Sequence, residues 1–135
     1  MPPTSATSHS VRATLGEVLN EEAYARMTSL AERYEAGVVQ SIEEHGLGWS
    51  VIRLGCRAEY MFSAEPPRNG GEAAEVIGGE LDELMHLFML NRGVLFTPFH
   101  MMALISPATT AEQVDAHTEA FGEIAAVLAA SAGRG

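Results

Sequence analysis

Ala23, Met27, Leu30, Tyr34, Val38 and Ile42 recur every three or four positions, the period of an α-helix with one buried face. Asn20 precedes this run and Glu21 and Glu22 follow it, which predicts an N-cap and charges suited to a helix N-terminus. Gly46 is placed to stop the helix, with His45 in its last turn. Residues 11–19 predict a shorter helical stretch ahead of it, and residues 1–10 read as a loose, flexible tail.

The period then changes. Residues 49–54 (WSVIRL) and 57–62 (RAEYMF) are strand-like, and Gly55 and Cys56 between them suit a tight antiparallel hairpin. Residues 65–71 (EPPRNGG) are a loop marked by Pro-Pro and Gly-Gly. Residues 72–91 predict a second amphipathic helix with Ile77, Leu81, Leu84, Met85 and Phe88 on its face and Gly93 closing it. A short strand at 94–96, a turn at 98–101 and an apolar strand at 102–106 follow. Thr110 and Gln113 form a capping-box pattern ahead of a last helix whose face is Val114, His117, Phe121, Ile124 and Leu128. Residues 131–135 are expected to fray, as part of an Ala/Gly-rich end starting at 129. The expected fold is α+β: one domain over residues 11–130, with a small, mostly antiparallel sheet of three to four strands covered by helices on one face.

Composition narrows the function. With 47% apolar and 19% charged residues over 135 positions, the chain is globular and long enough to bury a core. Its net charge is −10, and its eight basic residues are all arginine. Without a basic run to displace counterions, nucleic acid and anionic membrane are excluded as partners. The apolar window 87–105 is broken by Asn91, Arg92, Pro98 and His100, so it does not read as a spanning helix. The start lacks the basic and apolar regions of a signal peptide, and the single cysteine, Cys56, permits no intrachain disulfide. A cytoplasmic location fits, with Cys56 as a small buried residue rather than a nucleophile.

Few residues suggest chemistry. His86, His100 and His117 are the histidines that three-dimensional folding would have to bring together to hold a metal, against the plainer reading that each caps, packs or lies at the surface. Glu43, Glu44, Glu80, Asp82 and Glu83 read as solvated helix surface. Arg57 and Glu59 differ: two apart on a strand, they project from one sheet face, either as a surface charge pair or as a ligand-binding pair. No phosphate loop or nucleophile elbow is present. Met85, Met89, Met101 and Met102 read as deformable core.

Four segments in order carry a resemblance. ATLGEVLNEEAYARMTSLAERYEAGV, VIRLGCRAEYMF, LMHLFMLNRGVLFTPF and ALISPATTAEQVDAHTEAFGEI resemble the end of a class III, fold-type I pyridoxal-phosphate aminotransferase, in particular its glutamate-1-semialdehyde aminomutase-like branch. The resemblance implies a C-terminal small domain that closes a substrate pocket, with Arg57 and Glu59 facing substrate and Phe99 and His100 near the entrance. Residues 57–60 depart from the family's usual small or apolar pattern. The cofactor, pyridoxal 5'-phosphate, belongs to the parent enzyme, because this chain has no lysine to form the Schiff base. No cofactor, catalytic or metal residue is therefore assigned here. The implied partners are a missing large cofactor-binding domain or a second copy in a homodimer, with an amino or keto acid substrate in the parent alone. Two other readings stand beside it: a non-catalytic interaction or oligomerisation module, and a small histidine-based metal- or ligand-binding protein.

Overall fold

A computed structural model describes residues 5–96 and 100–133. The helices are α1 (Ser5–Ala13), α2 (Glu21–Glu44), α3 (Gly70–Val76), α4 (Glu80–Leu90) and α5 (Ala111–Ala132), and the strands are β1 (Ser50–Leu54), β2 (Arg57–Met61) and β3 (Met102–Leu104). The strands form one antiparallel sheet in the order β1-β2-β3. This is the expected α+β arrangement.

The two long helices begin where the sequence signals them. The Asn20 side chain accepts from the Ala23 N–H at 2.9 Å. Thr110 Oγ1 accepts from the Gln113 N–H while Gln113 Oε1 accepts from the Thr110 N–H, closing the capping box. Gly46 leaves α2 at φ +62°, a conformation that costs glycine little. The buried stripes of α2 (Tyr34, Val38, Ile42) and α5 (Val114, Phe121, Ile124) meet Ala58 and Tyr60 of the central strand in one core, with the His117 ring 6.4 Å from that of Tyr60. Met85, Met89 and Met101 are fully buried in it, as deformable core side chains.

Several local expectations change. Residues 5–10 are helical, and α1 continues into a π-helical turn (Thr14–Val18) instead of one regular helix over 11–19. Val11, Leu15 and Val18 stay exposed along it. The expected helix over 72–91 is two helices. Gly78, at φ +88°, breaks the chain, and the Asp82 carboxylate accepts from the Gly78 and Gly79 N–H groups at 3.0 Å each. Asp82 is therefore a buried cap of α4 and not solvated surface, while Leu84 turns outward. Residues 94–96 are irregular, so the sheet has three strands among the described residues. The apolar strand at 102–106 is shortened to Met102–Leu104. Residues 129–132, expected to belong to a fraying end, are helical, since α5 continues to Ala132. Much of the expected turn at 98–101, Phe99 included, lies outside the described residues.

The α2–α5 crossing is close. A Cβ on Gly37 would lie 2.4 Å from Thr118 Cγ2 and 2.8 Å from Thr118 Oγ1, and that hydroxyl is tied to the Val114 carbonyl at 3.1 Å. Helix propensity favours alanine over glycine by about 1 kcal/mol, but overpacking costs about 1–3 kcal/mol and wins here. Gly37→Ala is expected to lower stability in urea unfolding by about 1–2 kcal/mol, with Thr118→Ala in the same chain recovering most of the loss. An unchanged midpoint for the single variant would show that the crossing yields freely.

Candidate functional site

Helices α2 and α5 cover one face of the sheet, while on the other face Met61 and Glu59 are buried and Ile52, Leu54, Arg57 and Leu104 are exposed. Val51, Ala58, Tyr60 and Ala103 belong to the face packed on α2 and α5. Side chains alternate along a strand, so the register sets the other face as two cross-strand rows. One row is Ile52–Glu59–Met102 and the other is Leu54–Arg57–Leu104. The hairpin that creates this register turns on Gly55 at φ +59°, the left-handed first position that a two-residue turn of this kind needs.

Arg57 and Glu59 thus stand in the middle of an otherwise apolar surface. Leu54 and Leu104 are 77% and 69% exposed, whereas the Glu59 side chain keeps only 12% of its exposure. Its two oxygens are divided between two partners. Arg57 Nη2 donates to Oε2 at 3.4 Å, and His100 Nδ1 lies 2.8 Å from Oε1. The contact ties the imidazole to the carboxylate and restricts its orientation. The Arg57 side chain is half exposed, and Glu59 is its one partner among the described residues. Most of its five donors therefore face outward, with the fork geometry that binds a carboxylate in bidentate fashion.

Three of the four sequence candidates meet at this point, and the fourth, Phe99, lies outside the described residues. The expectation that Arg57 and Glu59 share a face holds, and His100 joins them from beyond β3's start. The apolar frame was not singled out from the sequence. Ile52 opposite Glu59 was readable from the two-residue turn, but Met102 and Leu104 depend on the β2–β3 register, which no local signal sets.

The histidines do not form a metal centre. Among the described residues no group of three or more His, Cys, Asp or Glu is arranged to hold an ion. His100 is engaged by Glu59, and His117 is buried among the rings of Tyr34, Phe96 and Phe121 at centroid distances of 4.6, 5.2 and 6.1 Å. Neither His117 nitrogen has a hydrogen-bond partner, and burial pushes its pKa down to about 4. His86, His100 and His117 are thus not gathered into one ion-binding group among the described residues.

A separate concavity of about 350 Å³ runs along the outer edge of β3. Its walls are Val94–Phe96 and Met102–Ile105, and Tyr34, Val114 and His117 lie at its base. It does not include Arg57, Glu59 or His100. Among the described residues no helix is long and apolar enough to cross a membrane.

No family model matches the chain. It is 32% identical over 109 residues to a glutamate-1-semialdehyde 2,1-aminomutase of Akkermansia muciniphila, covering 80% of this chain and 25% of that protein. A solved glutamate-1-semialdehyde aminomutase from Pseudomonas aeruginosa PAO1, a lysine-to-alanine variant in complex with PMP, superposes with a TM-score of 0.85. The two are 47% identical over 88% of this chain and 26% of that one. An omega-transaminase from Sphaerobacter thermophilus shares the fold at a TM-score of 0.65 and 21% identity, over 82% of this chain and 25% of that one. The chain thus spans about a quarter of the length of the relatives it matches.

Proposed function

We propose that this chain, related to one quarter of a glutamate-1-semialdehyde aminomutase, serves as the C-terminal small domain of a pyridoxal-phosphate aminomutase or aminotransferase and closes its substrate pocket with the sheet face that carries Arg57 and Glu59. The observation that carries the reading is the Arg57–Glu59–His100 cluster, set in an exposed apolar surface on a domain whose other face is fully used by its core. Exposed apolar patches rimming polar groups mark surfaces built to be covered.

The residues have distinct parts in this reading. Arg57 presents donors to the carboxylate of an amino or keto acid. Glu59 orients both Arg57 and His100. Ile52, Leu54, Met102 and Leu104 exclude water around them when the face is covered, which strengthens each charge interaction. Phe99, next to His100 in sequence, is assigned to the entrance.

The residues of this chain do not fit the cofactor itself. Pyridoxal phosphate supplies an electron sink for amino-group chemistry once it is anchored through a lysine amine, and this sequence has no lysine. Attachment therefore falls to another part of the parent, and no catalytic step is assigned to this chain alone. The test is borohydride reduction of the chain mixed with pyridoxal phosphate, followed by peptide mapping. Label is expected at the α-amine alone; a reduced adduct on an internal residue would refute the reading.

A further inference from the structure

We infer that the outer edge of β3 receives an extended β-strand from polypeptide outside this chain, laid into the groove between β3 and residues 94–96. The inference rests on the reading of the chain as one part of a larger enzyme, and it concerns the backbone edge of β3, whose Met102 and Leu104 side chains also frame the Arg57–Glu59–His100 cluster.

The hydrogen-bond directions identify the occupant. The Tyr60 N–H donates to the Met101 carbonyl and the Ile105 N–H donates to the Cys56 carbonyl. Met101, Ala103 and Ile105 therefore spend their backbone groups on β2. The alternate residues, Met102 and Leu104, turn theirs to the opposite side, where the sheet order ends. Those groups point along the groove whose wall is Met102–Ile105. Among the described residues these donors and acceptors have no backbone partner, and beside a groove lined mainly by apolar side chains they fit the main chain of another strand, with alternate apolar side chains directed at Val114, Phe96 and Ile105.

The edge also lacks the usual protection. Free edges are normally blunted by charged residues, prolines or bulges. Residues 101–105 contain neither charge nor proline, and Leu95 and Leu104 are 81% and 69% exposed beside the groove. The opposite edge, β1, carries Arg53, held by Glu35 at 2.6 Å. The relatives are about four times as long as the matched region, so a covalent source of such a strand exists in proteins of this kind.

The probe is a set of eight-residue synthetic peptides tiled across the three-quarters of the Pseudomonas aeruginosa enzyme that this chain does not match. A peptide with apolar residues at alternate positions is expected to bind and to slow amide hydrogen exchange at Met102 and Leu104. Leu104→Lys, on an exposed side chain, is expected to weaken that binding by about tenfold or more while leaving the fold intact, and Leu104→Val is expected to keep it. Absence of binding by every tile, or binding that leaves the two amides unprotected, overturns the inference. So does light scattering that shows a dimer with both amides already protected, since a second copy would then be the occupant. These outcomes are independent of borohydride labelling, so the strand and the domain reading fail separately.

Discussion

Acidification from pH 7 to pH 4 is expected to remove roughly 3 kcal/mol of stability through His117 alone. The ring is buried among aromatic side chains, neither nitrogen has a partner, and burial lowers its pKa to about 4 from the usual 6.5. The unfolded chain takes up the proton near pH 6.5, whereas the folded chain takes it up near pH 4. Between those values the unfolded state binds more protons, so stability falls as pH falls and the loss is complete below pH 4. The exposed carboxylates with lowered pKa values, Glu72, Glu112 and Asp115, lose their contributions lower on the scale, as pH falls below the ordinary carboxylate range. The windows therefore separate. His117→Phe keeps a ring against Tyr34 and removes two unpaired nitrogens, so it should match or exceed the parent chain at pH 7. Urea unfolding at half-unit pH steps checks this. A His117→Phe profile as steep as the original between pH 6.5 and 4 would assign the acid sensitivity to other groups.

Loss of the Glu59 side chain is expected to lower kcat/KM about 100-fold in an enzyme that uses this face. The material for the measurement is a chimera in which this chain replaces the matching 26% of the Pseudomonas aeruginosa enzyme. Glu59 reaches Arg57 through one oxygen and His100 through the other, so Glu59→Ala removes a contact from each of them at once. Misplacing a positioned group by about 1 Å is enough for a loss of this size. Glu59→Gln retains an accepting oxygen for one partner and should fall between. Arg57→Ala should raise KM for a substrate carboxylate more than it lowers kcat, since it removes a binding contact. Arg68→Ala is the control, because the Arg68–Glu72 pair lies on an exposed loop and helix start and contributes little. Wild-type kinetics in the Glu59→Ala chimera would remove the cluster from the substrate pocket.

The sequence by itself determined the elements whose cause is local. The 3–4 spacing from Ala23 to Ile42, the Asn20 cap, the Thr110–Gln113 box and the turn at Gly55 each operate within a few residues, and each occurs where the spacing places it. The β1–β2 register follows from that turn, so the shared face of Arg57 and Glu59 was legible too. The absence of lysine is a property of composition alone. The tertiary structure decided everything that depends on a partner distant in the chain. Asp82 is the local exception: it looks like surface charge until the backbone turns at Gly78, and Gly78 and Gly79, close by in sequence, each supply one N–H group to it. His117 sits on a helical face that reads equally as core or ligand, and only the rings of Tyr34 and Phe96 settle it. His100 meets Glu59 across 41 positions, and Leu104 lies beside Arg57 across 47, because β3 joins the sheet from the far side of two helices. Periodicity records which side of an element is buried, but not what that side is buried against.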